Sequence, residues 1–412
     1  MHLLSTRRLS SVRIRALIPF LLISSILILY LLLPDDQPKL PPNASYGLLD
    51  DTRPTSRLAI ATFLSAGDNT PVSASAFSSN AYLTATRTLL YQLLHGPDTR
   101  INASSSNIDV LVLVAPGVPL ETRKQLSREG AVVIEAQPIP LQWWIRTGVT
   151  RWKDQFLKLR LLQQTQYNRL LFIDADTLLT ARIDTLFAER EVISPAPTIH
   201  RYSKHDEVLP NQYMFAARSD NQFTGERDHP FPPLNTDVFS AGFWVAAPSQ
   251  ELFTYLLSVM GHYRRFDPHT MEQSLLNYAF RRGGPMPWRE LHYQWSATWP
   301  SGKDVEGGVV SLHEKFWKTG PEELQVLWTQ RREEMEKFWG EVRLVLTRGC
   351  PTMNGGQKKG RNEEDHAQSS YLPRRQHHPA NTKDEVSRNF QKQTWLAMYN
   401  SNSGQPNLQP FG

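Results

Sequence analysis

Between residues 57 and 174 short apolar runs alternate with longer amphipathic ones, and this alternation restricts the fold more than any other feature. "RLAIATFL" (57–64), "IDVLVLVAP" (108–116), "AVVIEA" (131–136) and "NRLLFID" (168–174) read as buried strands. "NAYLTATRTLLYQLLH" (80–95), "LETRKQLSREG" (120–130) and "WKDQFLKLRLLQQTQ" (152–166) carry apolar residues at helical spacing. Strands that alternate with helices and are apolar throughout belong to a mostly parallel sheet covered on both faces, an α/β fold.

The pattern then changes. Residues 198–236 are polar and read as an insertion that covers a site. "VFSAGFWVAAP" (238–248) reads as a strand, 250–266 and 271–282 as helices, "GGVVSLHEKFW" (307–317) as the last strand and 322–346 as a charged amphipathic helix. The folded body is therefore expected at 57–346, followed by a polar, disordered tail at 347–412.

Ahead of the body, Ala16–Leu33 is an uncharged apolar run preceded by Arg7, Arg8, Arg13 and Arg15 and followed by Asp35 and Asp36. At 1.5 Å per residue such a run spans roughly 27 Å, close to a thin bilayer core. The positive flank stays cytosolic. The reading is a cytosolic tail (1–15), a signal-anchor helix (16–33), a stem (34–56) and a lumenal body. A cleaved signal peptide is the alternative, but no small-residue cleavage site follows Leu33. N-x-S sequons at Asn43 and Asn102 agree with a lumenal body.

The strand at 168–174 ends in two carboxylates, Asp174 and Asp176. In an open parallel sheet, ligands bind beyond the carboxyl ends of the strands. Side chains two apart on extended backbone point the same way, and Ala175 between them is small enough to let a ligand approach. Two adjacent carboxylates call for a cation. A hard divalent ion such as Mn²⁺ or Mg²⁺, which also holds phosphates, suits them. The bland alternative is that these residues cap the following segment.

The stretch "FLKLRLLQQTQYNRLLFIDADTLLTARIDTLF" resembles the signature of the family-8 retaining glycosyltransferases, the glycogenin group. "RLAIATFL" resembles that family's uridine-contacting strand, with Thr62 in it and Tyr82 following as a base-stacking ring. "VFSAGFWVAAPS", "MEQSLLNYAF" and "VVSLHEKFWK" resemble its later blocks, so the likeness covers roughly 57–320. It implies a GT-A-type fold. It also implies a divalent ion on Asp174, Asp176 and His313, a nucleotide-sugar site with Ala175, Ser240, Gly242 and Lys318, and Lys158 near the donor. Glu272 and Gln273 would sit near the anomeric carbon. Ser240 stands where the family has Asn, Glu272 where it has Asp, and Lys318 is one position closer to its His than usual. The layout is nearest to fungal Golgi N-acetylglucosaminyltransferases of that family. The resemblance therefore implies a Golgi type II membrane enzyme that moves GlcNAc, Glc or Gal from a UDP-sugar to a glycan or glycoprotein. A GDP-mannose-dependent mannosyltransferase and an inactive glycan-binding scaffold are the alternatives.

The net charge of +5 is not gathered into a stripe, which argues against nucleic acid. One cysteine, Cys350, excludes an internal disulfide and thiolate metal clusters. Trp143, Trp144, Trp288, Trp295 and Trp299 default to core or rim, with one or two available to stack on an acceptor sugar. The sequence leaves the oligomeric state open.

Overall fold

The computed structural model describes residues 57–66, 73–102, 107–146, 150–204, 208–224 and 229–348. The expected anchor, stem, Asn43 sequon, Cys350 and polar tail lie outside the described residues. Among the described residues, no helix is long and apolar enough to cross a membrane.

Strand β1 (Leu58–Leu64) is followed by helix α1 (Ala81–Leu94), which starts where Asn80 accepts hydrogen bonds from the Tyr82 and Leu83 backbone N–H groups at 2.8 and 3.3 Å. Then come β2 (Ile108–Val114), α2 (Leu120–Arg128) and β3 (Val132–Glu135). A helix over Thr150–Gln163 precedes β4 (Arg169–Ile173). It is wound as a 3-10 helix rather than an α-helix, and at that length this is uncommon. Next are β5 (Thr177–Leu179), β6 (Phe215–Ser219), β7 (Phe239–Ala246), α3 (Gln250–Gly261) and α4 (Met271–Ala279). Short strands β8 (Arg289–Glu290), β9 (Ala297–Thr298) and β10 (Ser311–His313) and helix α5 (Glu322–Arg348) complete the order.

The main sheet runs β8-β6-β7-β4-β1-β2-β3. Its β4-β1-β2-β3 half is parallel, while β7 lies antiparallel to both β4 and β6. The fold is thus α/β around a mostly parallel central sheet. The unbroken apolar runs are explained by burial on both faces. Ala59, Ala61, Leu111, Leu113, Leu170 and Phe172 enter one core, and Ile60, Val110, Val112, Leu171 and Ile173 enter the other.

Two expectations need correction. The region 198–236 is not merely a polar insertion, because it contributes β6, a fully buried strand of the main sheet. Its "FAARS" looked polar, yet Arg218 is buried and its guanidinium donates to Glu290 at 2.7 Å. A paired arginine can occupy a strand interior that sequence pattern assigns to solvent. The expected strand at 307–317 shrinks to Ser311–His313 and joins a second sheet, β9-β10-β5, rather than the main one.

Candidate active site

The chain leaves the carboxyl end of β4 at Ile173, and Asp174 follows at once. The Asp174 backbone N–H donates to the Gly242 carbonyl of β7 at 2.9 Å, which extends the β4–β7 pairing by one residue. Ala175 turns inward to an apolar cluster with Leu178, Leu312 and Phe316. The flanking carboxylates are left to the other side. β5 then pairs with β10 so that Thr177 faces His313. That pairing brings a histidine from far along the chain to the D-A-D turn.

Here His313 Nε2 lies 3.2 Å from Asp176 Oδ1 and 3.8 Å from Asp174 Oδ2. One ligand atom from each of the three residues falls within 4.8 Å of the others, so the group can hold a metal ion. Gly242 is required for this. A Cβ there would sit 2.5 Å from His313 Cε1 and 2.9 Å from Asp174 Oδ2. Two carboxylates and one imidazole form a hard to borderline donor set suited to Mn²⁺ or Mg²⁺.

Lys158 supplies the second part of the site. It is buried in the 3-10 helix, and its Nζ lies 2.8 Å from Asp174 Oδ1 and 2.9 Å from Glu272 Oε1. Burial works against its charge, but Asp174 and Glu272 outweigh it and raise the lysine pKa. Glu272 is in the first turn of α4, just after Met271, whose φ of 53° is rare for a side-chain-bearing residue. Burial pushes the Glu272 carboxyl up against the pull of Lys158, and its Oε2 is buried with no hydrogen-bond partner. On the other side, burial would raise Asp176, but His313 and Lys315 hold it far below the usual carboxylate range. Burial would lower His313, but Asp176 and Asp174 raise it.

Other expected residues fall as follows. Gln273 Oε1 accepts from the Ala241 backbone N–H at 3.2 Å, and Asn277 Oδ1 accepts from the Phe239 N–H at 2.9 Å, so α4 is stapled to β7. Gln273 also donates to buried Asp220 at 3.4 Å. Ser240 is buried, and its Oγ accepts from the Gly242 N–H at 3.2 Å. Thr62 is buried within β1, and its Oγ1 has no hydrogen-bond partner. Tyr82 starts α1 and meets Trp317 edge-on, with ring centroids 5.3 Å apart.

Lys318 is exposed and is not among the groups paired with these carboxylates. Lys315 takes that place, with its Nζ 3.4 Å from Asp176 Oδ2. The family resemblance pointed to Lys318, although it stands one position closer to His313 than usual. The turn after β10, where the Phe316 N–H reaches the Glu314 carbonyl, brings the earlier lysine inward instead.

No protein-family model matches the chain. An uncharacterized protein of Schizosaccharomyces pombe is 28% identical over 291 residues, covering 64% of this chain and 74% of the relative. Galactinol synthase 2 of Arabidopsis thaliana is 31% identical over 188 residues, covering 44% of this chain and 54% of that enzyme. The chain thus spans about half the length of this galactinol synthase. Among solved structures, the glycosyltransferase GlyE of Streptococcus pneumoniae TIGR4 aligns with TM-score 0.40 and 13% identity, over 70% of this chain and 64% of that one. The Asp174–Asp176–His313 group offers a place for a metal ion.

Proposed function

We propose that the chain is a metal-dependent glycosyltransferase that moves a hexose from a UDP-sugar to a glycan or glycoprotein with retention of configuration. The observation that carries this reading is the convergence of Asp174, Asp176 and His313 at the carboxyl edge of the sheet, with Lys158 buried behind them. Mn²⁺ on those three residues would neutralise charge on the departing nucleoside diphosphate. Lys158 orients both carboxyl groups, its Nζ lying 2.8 Å from Asp174 Oδ1 and 2.9 Å from Glu272 Oε1. The unpartnered Oε2 of Glu272 is an electron-rich oxygen that would face a developing positive charge at a sugar carbon. Gly242 and Ser240 hold the edge of β7 close to the cluster.

We assign the chain to the Golgi membrane as a single-pass type II protein, on the strength of residues 16–33 and their flanking charges. UDP-GlcNAc is the first donor proposed. The matched relatives named for galactinol give a galactose donor equal standing.

The test uses the full chain in detergent. Nucleotide release from UDP-GlcNAc, UDP-Glc, UDP-Gal and GDP-mannose is measured with Mn²⁺ or EDTA, beside Asp176→Asn. Release from one UDP-sugar that EDTA and the substitution both abolish is expected. Release from GDP-mannose alone replaces the donor class. No release from any donor, with no Mn²⁺-dependent UDP binding, leaves a glycan-binding scaffold.

A further inference from the structure

The tryptophans divide sharply by environment. Trp144, Trp288 and Trp295 are buried, whereas Trp143 is 73% exposed. An indole left in water forgoes the burial that such a ring usually obtains in a fold. Yet Trp143 is not loose. Its ring stacks on Tyr263 with centroids 5.4 Å apart and planes 15° from parallel. Tyr263 is itself 56% exposed and is fixed from two directions. The Arg264 guanidinium lies 5.1 Å from its ring centroid, and buried Trp144 meets it edge-on at 6.1 Å. Trp144 in turn packs against Phe266 at 5.2 Å. This ladder anchors the indole to the core, covers one of its faces with Tyr263 and leaves the other toward water.

Trp143 also lines a cavity of about 1270 Å³. The cavity walls come from the loop after β2, the segment after β3 and the start of the 3-10 helix. It therefore lies over the carboxyl ends of the sheet, on the same edge as the D-A-D turn. Leu157 lines it, and the next residue is Lys158. Asp154, another wall residue, accepts from Ser65 Oγ just beyond β1 at 2.5 Å. Gln142, Arg146 and Lys153 add polar groups to the cavity wall, while the Arg123 guanidinium is taken up by Val118, Pro116 and Glu135. The volume exceeds the roughly 300–1,000 Å³ typical of small-molecule sites, which leaves room for a ligand of more than one ring.

A rigid aromatic plane in a mostly apolar cavity with a few charged and amide groups matches a pyranose. One face of that ring is a patch of C–H bonds, and its edge carries hydroxyls. A lipid surface would instead want a broad convex apolar patch, and here the aromatic face borders a concavity whose apolar wall carries a few charged and amide groups. We propose that Trp143, backed by Tyr263, is the platform of an acceptor subsite on which a pyranose ring lies beside the donor site. The proposal rests on the glycosyltransferase reading and names its acceptor class.

Two measurements test it on the full chain in detergent. The first needs no donor: intrinsic fluorescence is titrated with methyl α- and β-glucoside, galactoside and mannoside, and with their disaccharides. At least one saccharide is expected to quench the wild type. Trp143→Ala should lose that change, Trp143→Phe should weaken it, and Leu234→Ala, at an exposed site elsewhere, should keep it. The second measures sugar transfer to the saccharide found. Trp143→Ala should raise the acceptor KM about tenfold, the loss of one aromatic stacking contact, with kcat at saturating acceptor within about twofold. Equal quenching in wild type and Trp143→Ala, or no quenching by any saccharide, overturns the subsite. A wild type that releases no nucleotide from any sugar nucleotide overturns the glycosyltransferase reading, and the fluorescence titration still judges the platform separately.

Discussion

Asp174 and Asp176 are two residues apart and sit in unlike settings. Asp174 is bound on its inner side by Lys158, a fully buried cation that it shares with Glu272. Asp176 faces His313 and Lys315, both supplied by the short β10 strand and the turn after it, and Lys315 is half-exposed. The inner half is built by core packing: the 3-10 helix and α4 are pressed together over the sheet, Lys158 and Glu272 are buried between them, and Asp174 stays part-exposed. The outer half is built by a three-residue strand pairing. Removing a member of the inner half should therefore damage the fold, while removing a member of the outer half should damage binding and leave the fold intact.

The largest effect expected is at Lys158. Lys158→Met strands the buried Glu272 carboxyl and takes a partner from part-exposed Asp174, and breaking a buried pair by removing one partner costs about 3–5 kcal/mol. Urea unfolding at neutral pH checks this. Adding Glu272→Gln should recover part of the loss, because the stranded buried carboxyl is then gone. If Lys158→Met unfolds like the wild type, the inner half is not a structural unit and the contrast fails.

Gly242→Ala comes next. Its methyl must displace the His313 ring or the Asp174 carboxylate, and disturbing the support of a metal ligand typically lowers affinity about 10- to 100-fold. Mn²⁺ titration should show that loss, with unfolding nearly unchanged.

Proton and metal compete at His313. Asp176 and Asp174 raise its pKa despite its burial. The folded chain thus holds this proton more tightly than the unfolded chain does. The stabilisation is complete below about pH 6.5, the ordinary histidine value, and is lost as pH rises through the raised folded value. Mn²⁺ takes the neutral imidazole, so its affinity should climb over the same interval. Melting temperature without metal should fall there and Mn²⁺ affinity should rise. His313→Asn should flatten both profiles.

The smallest effects separate two lysines. Lys315→Ala removes a half-exposed partner of Asp176. Such a pair is worth up to about 1 kcal/mol, so a few-fold weakening of UDP binding is expected. Lys318→Ala should leave UDP binding unchanged. The reverse order would restore the assignment that the family resemblance suggested.

The main apolar strands were legible because burial on both faces of a sheet writes itself as an unbroken hydrophobic run, as in "IDVLVLV" and "RLLFI". The D-A-D turn was legible because charge at the end of such a run has no structural excuse. β6 was not legible, because its strand is buried through an ion pair between Arg218 and Glu290, a partner 72 residues away. Lys158 could be named as a site residue, but not as the buried bridge between Asp174 and Glu272. That role depends on α4, which starts more than a hundred residues later.

Local periodicity thus determined the alternating elements, the apolar sheet and the placement of two carboxylates at a strand end, since each depends on neighbours in the chain. Tertiary structure alone decided which lysine pairs with which aspartate, that Gly242 must lack a side chain, and that one tryptophan among several stays in water. Those outcomes depend on which distant surfaces meet and how much room they leave, and no stretch of sequence records that locally.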